Sequence, residues 1–158
     1  MKLYTIIAFA ENQPGVMYRM TELFMKRKLN IESLTASETD EEGISRITFT
    51  LKATETVIEK VVKQLYRIIE VTKVYENEEQ DIIAKELALV KVSASAPQKR
   101  KEIENIANLT NSKILLVLAK YIILEKTGSE EEISSLLILL KSYGIKEFVR
   151  SGRIALKK

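Results

Sequence analysis

Apolar residues along this chain come in blocks whose spacing switches between a strand period and a helix period. Leu3 to Ala10 is short, β-branched and apolar, the pattern of a buried strand. From Val16 the apolar positions are Val16, Met20, Leu23 and Phe24, with Met17 beside them, which lie on one face of a helix. That helix is expected to end near Arg27-Lys28, where basic side chains suit its C-terminal dipole. Ile31 to Glu38 reads as a second strand and Thr39 to Gly43 as a polar turn. Ile47, Phe49 and Leu51 then alternate with Arg46, Thr48 and Thr50, the period of a half-buried strand. Thr54 or Thr56 is placed to cap the next helix, and Thr56 with Glu59 has capping-box spacing. Val57, Ile58, Val61, Val62 and Leu65 form its apolar face, and Ile68 to Tyr75 is strand-like again.

The order recurs after residue 86. Leu87 to Ser93 reads as a strand, and Pro97 with the run from Lys99 to Leu109 as a helix with Ile103, Ile106 and Ala107 inward. Ile114 to Ala119 and Tyr121 to Glu125 form a hairpin pattern. Ser129 and Glu132 make a capping box ahead of Ile133, Leu136, Leu137 and Leu140. Gly144 closes that helix and Ile145 to Val149 is the last strand. The expected fold is α+β, two tandem ferredoxin-like β-α-β-β-α-β units. Helices on one side leave the other face of each sheet uncovered, so pairing of chains, as a homodimer or higher even oligomer, is expected.

Charge marks a division. Residues 1–75 carry 11 basic and 10 acidic groups, residues 76–86 carry 1 and 5, and residues 87–158 carry 13 and 7. The acidic middle reads as an exposed connector. With 46% hydrophobic and 30% charged residues, the chain is expected to be soluble and to bury a core. No apolar run approaches membrane-spanning length, and Met1-Lys2-Leu3-Tyr4 enters a strand pattern without a signal-peptide layout, so a cytoplasmic protein is expected.

The chain has no Cys and no His, which removes disulfides, thiolate nucleophiles, imidazole bases and the usual zinc sets. The carboxylate clusters at 40–42, 76–81 and 130–132 read as a turn, a connector and a helix start. Only 5 Gly are present and no dinucleotide fingerprint. Nucleic-acid binding is disfavoured, because the strands offer Ile, Leu, Thr and Val where RNA recognition on this fold needs stacking aromatics. What stands out is Glu11-Asn12-Gln13-Pro14-Gly15-Val16, a strand-to-helix turn. Helix-start amides there suit a carboxylate. Gly15 permits close approach to the backbone and Pro14 stiffens the turn. Asn12 can accept from an ammonium or orient the loop. Asn30, taken alone, reads as a left-handed residue at a helix end. With Ile31, Leu34 and Val16 nearby in the pattern, the two amides suit a branched aliphatic amino acid.

Three stretches carry a resemblance: Phe9-Ala10-Glu11-Asn12-Gln13-Pro14-Gly15-Val16, Leu29-Asn30-Ile31-Glu32-Ser33-Leu34-Thr35, and Ser45-Arg46-Ile47-Thr48. They resemble the small regulatory subunit of acetolactate (acetohydroxyacid) synthase. Leu89-Val90-Lys91-Val92 and Arg150-Ser151-Gly152 continue the likeness, which covers nearly the whole chain. It implies an ACT domain over 1–75, a connector over 76–86 and a C-terminal ACT-like domain over 87–158. It implies a non-catalytic subunit that binds and activates a catalytic subunit and confers feedback inhibition by valine or a related branched-chain amino acid. Thiamine diphosphate, Mg²⁺ and FAD would belong to that partner. Asn12, Pro14, Gly15 and Val16 of one chain would face Asn30 and Ile31 of another across a dimer interface. The family usually has Gly and an aromatic where Lys28 and Leu29 stand here. The alternative is a stand-alone amino-acid-sensing ACT protein acting on a different target.

Overall fold

The computed structural model describes residues 1–158. The chain forms two compact units, residues 1–84 with 153–158, and residues 85–152. The first contains β1 (Lys2–Glu11), α1 (Val16–Lys26), β2 (Ile31–Glu38), β3 (Ile44–Ala53), α2 (Glu55–Leu65) and β4 (Val71–Glu78). The strands form one antiparallel sheet in the order β2-β3-β1-β4. Central β1 is the most apolar strand, since both its neighbours and both its faces exclude water. Ile6, Ala8, Phe49 and Leu51 meet Val16, Met20 and Phe24 of α1 and Ile58, Val61 and Leu65 of α2. The Phe24 and Phe49 rings lie 4.8 Å apart at their centroids. Losing one such buried ring costs about 3–5 kcal/mol.

The second unit repeats the order with β5 (Ile82–Ser93), α3 (Pro97–Leu109), β6 (Lys113–Val117), β7 (Tyr121–Gly128), α4 (Glu130–Leu140) and β8 (Ile145–Arg150). Its sheet runs β6-β7-β5-β8. Val90, Val92, Ile122 and Leu124 pack on Ile103, Ala107, Leu136 and Leu140. The expected fold class is the observed one, an α+β chain of two β-α-β-β-α-β units. A short extra strand, β9 (Ile154–Lys157), pairs with β5.

Several expectations are corrected. Residues 76–86 are not an extended linker. They hold the end of β4, a single 3-10 turn over Glu79–Asp81 and the start of β5. Glu76 on β4 and Glu79 and Asp81 in the turn are exposed, while Asn77, Ile82 and Glu86 are buried. Residues 153–158, expected with the second half, pack with the first unit. Thr48 and Thr50 are buried rather than solvent-facing. They share a sheet face with Ile7, which is buried against Ile82 and Ala155. The chain itself therefore contributes cover to that face. Thr54 stands before α2 without a side-chain cap, and Thr56 lies inside the helix, so no box forms there. The Ser129–Glu132 box does form, with Glu132 N–H donating to Ser129 Oγ and Ser129 N–H donating to Glu132 Oε2.

The end of α1 also differs. Lys28, with φ of 55°, is the left-handed residue, and Asn30 is not. Leu29 N–H donates to the Phe24 carbonyl and Lys28 N–H to the Met25 carbonyl, the paired closure of a Schellman motif. Its apolar clasp is Leu29, which packs on the core that holds Phe24. A glycine would take that position at less steric cost than lysine, and Asn30 begins the approach to β2 instead.

Candidate functional site

The β1–α1 turn is built to stay open. Gly15 is the residue preceding α1, with φ of 85°, and no side chain caps the helix start. No acidic residue stands in the first turn of α1. A Cβ built at Gly15 meets nothing within 4 Å. Asn12, Pro14 and Gly15 are exposed, while Val16 is 3% exposed and rooted in the core. The loop is held from its sides. Asn12 N–H donates to the Gly43 carbonyl at 2.7 Å. Asn12 Nδ2 donates to Glu38 Oε1 at 3.0 Å, which leaves its carbonyl oxygen as the acceptor on offer. Gln13 Nε2 donates to Glu11 Oε2 at 2.7 Å. Arg19 and Glu70 pair at 2.5 Å, and Glu11 N–H donates to the Glu70 carbonyl.

Asn30 and Ile31 lie elsewhere. With Thr21, Phe24, Met25, Lys28 and Leu29 they line an open cleft of about 460 Å³ beyond the end of α1. Asn30 is exposed and Ile31 half-buried. The eleven residues of α1 separate the two groups by about 16 Å at 1.5 Å per residue. The structure thus brings Asn12, Pro14, Gly15 and Val16 together at one end of α1 and Asn30 with Ile31 at the other. One amino acid cannot touch both groups in a single chain. β2, which follows Asn30, is an edge strand bonded on one side only, to β3.

The sequence reading missed Glu38 and Gly43, which hold Asn12, because no local motif announces a contact across a sheet end. It missed Thr21 and Met25 as cleft walls, although their spacing from Phe24 and Lys28 places them on the last turns of α1.

Family comparisons bear on both units. Residues 6–73 match the model described as an AHAS small subunit-like ACT domain. Residues 85–158 match the model described as the small subunit of acetolactate synthase. The acetolactate synthase small subunit of Mycolicibacterium smegmatis is 35% identical over 155 residues, covering 98% of this chain and 91% of that protein. The chain belongs to the acetolactate synthase small-subunit family. The Bacillus subtilis family member is 43% identical over 145 residues, covering 91% of this chain and 84% of its own length. The crystal structure of the acetolactate synthase small subunit from Thermotoga maritima superposes with a TM-score of 0.91 at 29% identity, covering 100% of this chain and 98% of that one. The first unit of this family member is accordingly an ACT domain. No helix in the chain is long and apolar enough to cross a membrane.

Proposed function

We propose that this chain is the regulatory subunit of an acetolactate synthase, raising the activity of a catalytic subunit and conferring feedback inhibition by valine or another branched-chain amino acid. The observation that carries the reading is family membership across both units together with an uncapped, unfilled Asn12–Val16 turn in the ACT domain. The effector carboxylate lies against the amides at the start of α1, where the helix dipole favours an anion. Asn12 accepts from the ammonium through its free carbonyl oxygen. The branched side chain enters the cleft at Asn30 and Ile31 of a second copy, against its apolar walls Phe24, Met25 and Leu29. Two copies are required because the two groups stand about 16 Å apart in one chain. The free edge of β2 is the natural line of contact, since an unpaired strand edge is a template for another chain. The chain therefore works as a dimer or a larger even assembly with the catalytic subunit, and its setting is the cytoplasm. The division of labour is an effector-binding, dimerising ACT domain and a second ACT-like domain.

The test uses the purified chain and a large catalytic subunit from the same source. Calorimetry with valine, leucine and isoleucine should show binding of at least one, and the mixed enzyme should turn over faster than the catalytic subunit alone and lose rate as that amino acid rises. Binding without any effect on acetolactate formation would favour the stand-alone sensor instead. A monomer by light scattering with effector present would remove the shared site.

A further inference from the structure

The sheet face of the ACT domain opposite its helices is covered in part by the last residues of the chain. Ala155 is buried with Ile7 and Ile82, and Phe9, Tyr75 and Ala84 pack around them. Residues 153–158 follow Gly152, whose φ of 82° suits a residue without a Cβ. Their attachment goes beyond apolar cover. Arg153 is 4% exposed, and its guanidinium meets Glu79 Oε2 at 2.6 Å. Its main-chain N–H donates to Ser33 Oγ at 3.2 Å. Its carbonyl accepts from Thr35 Oγ1 at 2.9 Å. The Arg46 guanidinium donates to the Ala155 carbonyl. Lys158 N–H donates to the Asp81 carbonyl at 3.0 Å.

Ser33 and Thr35 belong to β2, directly after the cleft residues Asn30 and Ile31. β2 is held by a ladder on one side only, and its register shifts between Ile31 and Ser33. An edge strand with an irregular start is weakly fixed by its ladder. The tail supplies a second set of bonds, at Ser33 beside the irregularity and at Thr35 beyond it. Burying a guanidinium is unfavourable unless its charge and donors are met. Here the buried arginine marks where the tail is locked.

We propose that Arg153 is a positioning residue of the effector site. The strap it anchors holds β2 at Ser33 and Thr35 and so fixes where Asn30 and Ile31 stand. This rests on the effector reading above. By linkage, an effector that needs the fixed strand also tightens the strap by the same factor.

The experiment uses the full chain as wild type, Arg153→Ala, Arg153→Lys and Thr35→Val. Affinity for valine, leucine and isoleucine is read by calorimetry. Amide exchange of β2 is read without effector, with β7 as internal reference. Arg153→Ala should weaken binding about fivefold or more and speed exchange at 31–35 by about tenfold, leaving β7 unchanged. Arg153→Lys should recover most of the affinity. Thr35→Val, which loses only the bond to the Arg153 carbonyl, should weaken binding about two- to threefold. Wild-type affinity and exchange in Arg153→Ala overturn the proposal, as does a uniform rise in exchange across all strands of the domain. If the wild type binds none of the three amino acids, the effector reading fails separately. Exchange in β2 then decides the strap, faster in Arg153→Ala if it holds the strand and unchanged if it does not. Should Arg153→Ala fail to fold, Thr35→Val carries the comparison, and wild-type affinity with wild-type exchange at 31–35 in that variant overturns the proposal.

Discussion

In the ACT domain the chain leaves β1 through Asn12-Gln13-Pro14-Gly15 and enters α1 from a left-handed glycine with open space beside it. In the second unit it leaves β5 through Ala94-Ser95-Ala96 and enters α3 directly on Pro97. Ala96 is extended, with φ of −99°, and no glycine is present. Arg100 lies across that turn, its Nε donating to the Ala94 carbonyl at 2.9 Å and its Nη2 to the Ala119 carbonyl at 2.7 Å. Pro97 removes an amide that a ligand could use. One fold thus occurs twice, with an open turn in one copy and a turn crossed by Arg100 in the other. On the proposed function, ligand capacity resides in the turn and not in the β-α-β-β-α-β frame.

The strongest way to break this comparison is to fill the open turn. Gly15→Asp places a carboxylate where the effector carboxylate is expected. At ~4 Å and an effective dielectric of ~20 the repulsion is about 4 kcal/mol before relaxation and screening. A third of that weakens binding about tenfold. Asp is among the side chains best able to take a left-handed conformation, so the domain should fold. Inhibition of the reconstituted enzyme should be lost and activation kept. The matched change in the other unit, Ala96→Asp, should leave effector affinity alone and stabilise the chain by about 1 kcal/mol through a new helix cap. Normal inhibition in Gly15→Asp would move the effector away from this turn.

The units differ next in what covers the sheet face opposite their helices. The ACT domain holds Ile7, Thr48 and Thr50 buried on that face, with Ala155 of the tail against Ile7. The second unit leaves Leu87, Leu89 and Val149 exposed on its corresponding face. Ending the chain at Gly152 should therefore destabilise one unit selectively. Loss of the Ala155 contact and the Arg153 bonds should take about 2–3 kcal/mol from the ACT domain. Calorimetry would register this as a lowered transition for that unit beside an unmoved one. An equal fall of both would show that the tail stabilises more than its own face.

The frame was legible because both halves alternate period-2 and period-3.6 blocks. The Ser129–Glu132 box was legible because its partners are local. The parts that escaped depend on distant contacts. Arg153 looks like one more basic residue in a basic tail until Ser33, Thr35 and Glu79 surround it. Glu76 to Asp81 looks like a linker because acids on a strand end and an exposed 3-10 turn have the composition of one. Asn12 and Gly15 could be singled out from residue type, and the helix pattern from Val16 to near Lys28 already places Asn30 at the far end of that helix. Lys28 was legible as a basic residue at a helix end, while its left-handed backbone was not.

Helix starts provide a milder contrast. α1 and α2 begin without a side-chain cap, whereas α4 begins with the Ser129–Glu132 box. The Ser129 N–H, and then Lys85 beside it, hold the Glu132 carboxyl below the usual carboxylate range. A lowered folded pKa gives stability that is complete above the ordinary value of about 4.3 and is lost as pH falls through the folded value. Ser129→Ala should cost about 1 kcal/mol at neutral pH. Urea titrations repeated toward acid should show both proteins losing stability as Glu132 protonates with that difference kept, because Ser129→Ala retains the main-chain N–H that the Glu132 carboxylate accepts from.

The smallest contrast lies at the other ends of α1 and α3, which close with the same motif on different residues. Ser112 N–H donates to the Ala107 carbonyl and Asn111 N–H to the Asn108 carbonyl, just as Leu29 and Lys28 do after α1. The left-handed position is Asn111 in one, with φ of 51°, and Lys28 in the other, with φ of 55°. Asn visits this region readily, while an ordinary side chain there is disfavoured by about 1 kcal/mol. Two effects oppose the gain from Lys28→Gly. Glycine has more freedom to lose on folding. The lysine charge also suits the helix C-terminus by about 0.3–1 kcal/mol. The three should nearly cancel, leaving the ACT domain within about 0.5 kcal/mol of wild type. Asn111→Gly should change the second unit by only about 0.2 kcal/mol, since asparagine has little strain to release. Urea midpoints at unchanged slope measure these values. Lys28→Met supplies the control, because it keeps the Cβ and removes the charge. It should destabilise by about the dipole contribution alone. If Lys28→Gly instead loses stability by as much as Lys28→Met, the lysine is held there by its charge, and backbone strain is not what distinguishes the two helix ends.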